Sequence, residues 1–237
     1  MDISAYQAFA KDTLKVEFNN IDLLVTAFTH RSYLNEHKKT VSAHNERLEF
    51  LGDAVLELVV TEYLYGNYED PEGILTNWRS SLVRTESIGA AAVRNEFEGL
   101  LRLSRGEKRG TDRARAQILA NSYEAVVGAL YIDQGYDAAK NFITSSLLTT
   151  FQNILDTGSW MDPKSHLQEL AQSHETATPV YRVMQEDGPD HDKVFTVAVF
   201  VNNNMRGQGN GPSKQAAQQK AAEKALDYYA SDTPDKD

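Results

Sequence analysis

The sequence contains no cysteine, which excludes disulfides, thiolate metal sites and cysteine nucleophiles. It has no apolar run approaching the roughly 20 residues that a membrane span needs. The opening Met1-Asp2-Ile3-Ser4 has neither the basic nor the apolar region of a secretion signal, so the cytoplasm is the expected location. Positive charge is also scarce: 24 Lys and Arg stand against 34 Asp and Glu, a net charge of -10. That balance argues against nucleic acid as a partner, because phosphate binding is driven by Lys and Arg. Composition alone therefore points to a soluble acidic enzyme, and only local motifs can overturn it.

What is present suits one large or two modest domains: 237 residues, 41% of them apolar. As far as about Leu155 the apolar residues recur every three or four positions. Leu48, Leu51, Val55, Leu58 and Val59 form one helical stripe, and a second runs from Ala116 to Tyr131. A third spans Ala138 to about Leu155, with turn signals between, as at Asp70-Pro71-Glu72-Gly73. This part reads as all-α. Asp156-Thr157-Gly158-Ser159 and Asp162-Pro163 read as a linker. Beyond it the pattern changes. Ser165 to Ser173 reads as a helix, Val180 to Gln185, Val194 to Val201 and Asn204 to Gly207 as strands, and Lys214 to Tyr229 as a second helix. The expected organisation is an all-α domain over 1–155, a linker over 156–162, a small α-β-β-β-α domain over 163–231 and an acidic tail over 232–237.

The most informative stretch runs Glu46-Arg47-Leu48-Glu49-Phe50-Leu51-Gly52-Asp53-Ala54-Val55-Leu56. On a helix Glu49 and Asp53 share a face, with Glu46 one turn earlier. Like charges at that spacing cost a few tenths of a kcal/mol, roughly, when exposed and more when desolvated. A divalent cation removes the cost. In Ala120-Asn121-Ser122-Tyr123-Glu124, Asn121 and Glu124 again share one helical face. Packing the two helices together would gather Glu49, Asp53, Asn121 and Glu124, all hard oxygen donors suited to Mg²⁺ or Mn²⁺. The plain alternative is that these are solvated faces of surface helices.

Asn45 to Leu56, the upstream Ala27-Phe28-Thr29-His30-Arg31-Ser32-Tyr33 and the downstream Ile118 to Tyr131 closely resemble the ribonuclease III family. The resemblance implies a homodimeric, Mg²⁺-dependent endonuclease of double-stranded RNA, with Mn²⁺ able to substitute. It implies metal ligation by Glu49, Asp53, Asn121 and Glu124, and catalytic roles for Asp53, Glu124 and Glu46. It further implies attack by a metal-activated water, 5′-phosphate and 3′-hydroxyl ends, two-nucleotide 3′ overhangs, and processing of ribosomal precursor and messenger RNA. Glu72 resembles a further acid outside the inner group. One departure stands out: Asn121 occupies a position where the family usually has Asp, which removes one formal charge. His30, Arg31 and Ser32 read as helix or dimer contacts rather than as catalysts.

The second domain resembles the double-stranded RNA-binding domain. The resemblance rests on Asp162 to Leu170, Pro179-Val180-Tyr181, Gly188-Pro189-Asp190-His191, Phe195-Thr196-Val197, Gly207-Gln208-Gly209 and Gly211-Pro212-Ser213-Lys214. It implies duplex contacts by Ser165 and Gln168 on the first helix, by Gly188, Pro189 and His191 in the loop, and by Lys214 at a helix N-terminus. The expected partners are double-stranded RNA and a second copy of the chain, with no membrane and no small-molecule cofactor. Two other readings stay open: a duplex-RNA binder that no longer cuts, favoured only by Asn121, and a helical assembly protein with acidic surfaces.

Overall fold

The structure is a computed structural model that describes residues 3–189 and 193–231. It divides into two compact units, Met1–Asp156 and Thr157–Asp237. His191 of the expected RNA-contacting loop and the tail over 232–237 lie outside the described residues.

The first unit is helical: α1 (Ser4–Asp12), α2 (Ile21–Ala27), α3 (Arg31–Glu36), α4 (Glu46–Asn67), α5 (Glu72–Val83), α6 (Thr85–Arg94), α7 (Asp112–Gln134), α8 (Tyr136–Ser146) and α9 (Phe151–Asp156). Its centre is the pair α4 and α7, with α2, α6 and α8 also packed on α7. From Ile118 to Leu130, α7 is buried on almost every side; only Asn121 and Glu124 are part-exposed. Such a helix must sit at the core of its unit. Its Tyr123 packs on Phe97 and Phe142, and Phe97 in turn on Phe28, 5.0 Å away in an edge-on pair. The Tyr123 hydroxyl shares a 2.7 Å hydrogen bond with the Ser146 Oγ, so the ring is buried with its polar atom satisfied.

Two glycines set the closeness of α4 and α7. A Cβ on Gly52 would stand 1.7 Å from the Glu124 carbonyl oxygen, and one on Gly128 would stand 2.3 Å from the Leu48 carbonyl oxygen. The two backbones thus touch, an approach that any side chain at either position would prevent.

The segment read as one helix from Ala138 to Leu155 is broken. α8 ends at Ser146, a single 3-10 turn covers Leu148–Thr150, and α9 follows. Ser145, Ser146 and Thr150 donate their hydroxyls back to the carbonyls of Phe142, Phe142 and Leu147. Such bonds compete with the regular ladder and loosen the helix there.

In the second unit α10 (Pro163–Glu175) precedes an antiparallel sheet of order β1-β2-β3, formed by β1 (Val180–Asp187), β2 (Val194–Val201) and β3 (Asn204–Gly211); α11 (Lys214–Ser231) follows. The Asp162 carboxylate caps α10 by accepting from the backbone N–H groups of Lys164 and Ser165, and Pro163 opens the helix. Leu167, Ala171, Val199, Val201, Ala221 and Ala225 form the core. Gly207, Gly209 and Gly211 lie against α11; a Cβ on Gly209 would be 2.4 Å from the Ala221 nitrogen. β1 and β3 run longer than the alternation of their sequences suggests. β1 is an edge strand exposed along nearly its whole length, and β3 alternates glycine with polar residues. Main-chain pairing to β2 extends both, and side-chain pattern does not record it.

Candidate active site

α4 opens with Asn45 as N-cap residue and carries Glu46 and Glu49 in its first turn, where the helix dipole favours acids. Asp53 stands one turn further on. Leu48, Gly52, Val55 and Leu56 are buried, while Glu49, part-exposed, and Asp53, exposed, flank them at the rim of the α4–α7 contact. On α7, Tyr123 is fully buried and fixes the rotation of the helix, leaving Glu124 half-buried at the same rim. The backbone contact through Gly52 and Gly128 brings the two rims together.

The electrostatics record that proximity. Burial pushes the Glu124 carboxyl up to about 8, and the negative charges of Asp53 and Glu49 push in the same direction. Glu49 is raised by burial and by the charges of Glu46 and Asp53; a hydrogen bond from the Asn121 side chain partly opposes this. Asn121 Oδ1 in turn accepts from Gln117 Nε2 at 2.7 Å. Among the described residues no ion pair reaches Glu49, Asp53 or Glu124. Glu46 does have partners: Arg31 Nη1 at 3.4 Å and His44 Nδ1 at 3.8 Å. It interacts electrostatically with Glu49 and does not enter the inner group.

The chemistry of this donor set fits a hard divalent ion. It is all oxygen and carries three carboxylates without a basic counter-charge, Glu49 and Glu124 half-buried and Asp53 exposed. Among the described residues, however, no three His, Asp or Glu side chains converge closely enough to enclose an ion in this arrangement. A cation held there by Glu49, Asp53 and Glu124 would require movement about their side-chain torsions.

Glu72 is exposed at the start of α5. It lines a cavity of about 450 Å³ with Thr61, Leu64, Tyr65, Thr76 and Arg79, apart from the three inner carboxylates. His30 caps α3, its Nδ1 accepting from the Ser32 backbone N–H at 3.3 Å and lying 2.8 Å from Ser32 Oγ. That is a structural role.

In the second unit Ser165, Gln168, Glu169 and Gln172 line one exposed groove on α10. Gly188 follows β1 with φ of 88°, a left-handed turn that suits glycine, and Pro189 comes next. Lys214 opens α11 and pairs with Glu186 Oε1 at 3.0 Å. Lys193 lies 3.8 Å from the other oxygen of the same carboxylate. The sequence reading passed over Glu186, Gln117 and the two crossing glycines. For Gly52 and Gly128 a signal existed, since glycine inside a strong helical pattern implies a packing reason.

The model of the Ribonuclease-III-like family matches residues 20–151, and that of the double-stranded RNA binding motif matches residues 163–229. The chain is 42% identical over 220 residues to Ribonuclease 3 of Enterococcus faecalis, covering 91% of this chain and 94% of that protein. It is 44% identical over 221 residues to Ribonuclease 3 of Oceanobacillus iheyensis, covering 92% and 95%. A crystal structure of the nuclease domain of ribonuclease III from Campylobacter jejuni superposes with a TM-score of 0.54 at 34% identity, covering 60% of this chain and 94% of that one. A second structure of that domain, described for flexibility in a region involved in dimer formation, gives 0.52 at 34%, covering 58% and 96%. With both of its units matched in order and its similarity to these proteins spanning nine-tenths of its length, the chain belongs to the ribonuclease III family.

Proposed function

We propose that the chain, an endoribonuclease of double-stranded RNA, cuts with the help of a divalent cation held by Glu49, Asp53 and Glu124. Mg²⁺ is the expected ion, and Mn²⁺ can take its place. The observation that carries the reading is the close α4–α7 crossing at Gly52 and Gly128, which sets Glu49, Asp53 and Glu124 near enough that burial and their mutual charges raise the Glu124 carboxyl, with no basic partner among the described residues. When bound, such an ion supplies a water of lowered pKa and a counter-charge for the phosphate oxygens.

The protein's own groups do the rest. Glu49, Asp53 and Glu124 fix the position of the cation, and Glu124 gives up its proton for it. Asn121 completes the group beside Glu49. Glu46, held by Arg31 at the N-terminus of α4, stands at the rim where the scissile phosphate enters. In-line attack of water on phosphorus then breaks the bond to the 3′ oxygen and leaves 5′-phosphate and 3′-hydroxyl ends.

The exposed apolar face of α4 supports a homodimer. Phe50 is 83% and Tyr65 82% exposed, with Leu58 on the same side. A second copy of the chain is the expected cover, and two sites together cut both strands to give two-nucleotide 3′ overhangs. Residues 1–155 are the catalytic and dimerisation unit. Residues 163–231 hold the duplex through Ser165, Gln168, Gly188, Pro189 and Lys214. His191, outside the described residues, belongs to the same proposed loop contact. Precursor ribosomal RNA and structured messages in the cytoplasm are the proposed substrates. Among the described residues no helix is long and apolar enough to cross a membrane.

Incubating the protein with a long RNA duplex and Mg²⁺ should give short duplexes with the stated ends, and EDTA should stop the reaction. Glu124→Gln should lower the rate by more than about a hundredfold, beyond the effect of groups that only orient a ligand. Full cutting in EDTA would refute the metal reading; retained binding with no cutting in Mg²⁺ would reduce the chain to a duplex binder.

A further inference from the structure

Lys164, the second residue of α10, carries a charge with which no carboxylate pairs. Its Nζ reaches across to α11 and donates to Gln218 Oε1 at 2.9 Å, and it stands 5.1 Å from the centre of the Tyr181 ring. Among the described residues no ion pair reaches it, whereas Lys193 and Lys214 share Glu186, Arg206 pairs with Glu175 and Lys224 with Asp227. The nearby Asp162 is occupied. Its Oδ1 accepts from the backbone N–H groups of Lys164 and Ser165 at 3.1 and 3.2 Å, and its Oδ2 from Gln219 Nε2 at 3.4 Å. A part-buried ammonium in the first turn of a helix is set against the helix dipole. An amide oxygen and an aromatic face offset that cost only in part, because neither carries a full negative charge.

Lys164 lines a cavity of about 310 Å³ between the N-terminal halves of α10 and α11, together with Asp162, Ser165, Gln168, Gln215 and Gln219. We propose that this cavity takes a phosphate of the duplex backbone, with Lys164 as its charged contact and Gln218 as the residue that positions Nζ. The wall already contains Ser165 and Gln168, two of the proposed duplex contacts, so a strand lying along α10 passes the opening. The side-chain amides of Gln215 and Gln219 add neutral N–H donors for phosphate oxygens. A phosphate supplies the full negative charge that Lys164 lacks, and Lys164 gives up no ion pair to meet it. Lys214, by contrast, must first part from Glu186 at 3.0 Å. This adds a site to the duplex-binding reading above and rests on it.

Filter binding of the full chain to a long RNA duplex in EDTA, over a range of KCl concentrations, tests the site. Lys164→Met removes the charge and keeps most of the apolar stem. It should weaken binding about fivefold at about 0.15 M salt and lower the slope of log affinity against log salt by about 1, the contribution of one phosphate contact. Lys164→Arg keeps the charge and should keep the slope. Gln218→Glu leaves Lys164 in place but gives Nζ a carboxylate partner, and should weaken binding at least as much as Lys164→Met. A slope unchanged by Lys164→Met would overturn the inference even if the affinity fell, because loss of packing alone does not change the number of counterions released. Gln218→Glu binding as tightly as the unaltered chain, or Lys164→Arg behaving like Lys164→Met, would overturn it too. If the unaltered chain binds the duplex and Lys164→Met binds it equally well, only this site is wrong. If the unaltered chain does not bind the duplex, the reading of the second unit falls and the site falls with it.

Discussion

At Glu124 the fold accepts a disadvantage that a proton, or a bound cation, relieves. In the unfolded chain this carboxyl ionises near the ordinary 4.5, and in the fold at about 8. Between those values the unfolded state binds fewer protons than the native state, so stability falls as pH rises across the window; below it the penalty is absent. Glu49, raised for similar reasons, adds to the same trend. Thermal unfolding in EDTA should therefore show a melting temperature that drops between pH 5 and pH 8. Glu124→Gln should flatten that drop. Mg²⁺ should restore the loss most strongly at the alkaline end, where less proton has to be displaced, because a ligand that binds only the native state stabilises it by mass action. A melting temperature independent of pH in EDTA would mean that Glu124 is not shielded from water as described. The acids themselves were legible in the sequence, because helical spacing places Glu49 with Asp53 and Asn121 with Glu124. Their protonation was not, since it depends on burial and on charges some 70 residues away along the chain.

Among elements, the pair α4 and α7 decides whether a site exists. Helical periodicity predicts both helices and their apolar faces, but it does not say how near their axes come. Gly52 and Gly128 settle that by letting main chain meet main chain. Gly52→Ala puts a methyl group where the Glu124 carbonyl stands, and no flexible side chain is there to yield. The helices must separate, which should cost about 3 kcal/mol of stability. Urea unfolding measures the loss, and cleavage should fail even in the fraction that stays folded, because Glu124 moves away from Glu49 and Asp53. Gly66→Ala on the same helix, with nothing within 4 Å of the added atom, is the control and should be neutral or slightly stabilising. The weaker reading of β1 and β3 has a related cause. β1 lies at a sheet edge and β3 needs glycine to approach α11, so neither carries the alternation of a half-buried strand.

For the molecule as a whole, the charge balance that spoke against nucleic acid is distributed rather than contradicted. Acids gather where a cation is proposed, and Arg79 and Arg115 are engaged by Glu57 and Glu98. In the proposed reading, recognition of duplex RNA falls to the polar groove of α10 and to Lys214, which would exchange Glu186 for a phosphate. Assembly is proposed for the apolar side of α4. Phe50→Glu places a charge at the most exposed large apolar side chain of the described residues. It should convert the dimer to a monomer in sedimentation equilibrium while the far-ultraviolet dichroism stays unchanged, and cutting should become slow and single-stranded. A dimer that survives the substitution would move the interface elsewhere.

The sequence by itself determined the class of each unit, the identity of the oxygen-bearing side chains and the face of the helix on which each one lies, because these follow from spacing of a few residues. The tertiary structure alone decided that the faces meet, that Glu124 holds its proton near neutrality and that the Asn121 oxygen turns toward Gln117. Those outcomes depend on distances between segments far apart in the chain and on exclusion of water, and local periodicity encodes neither.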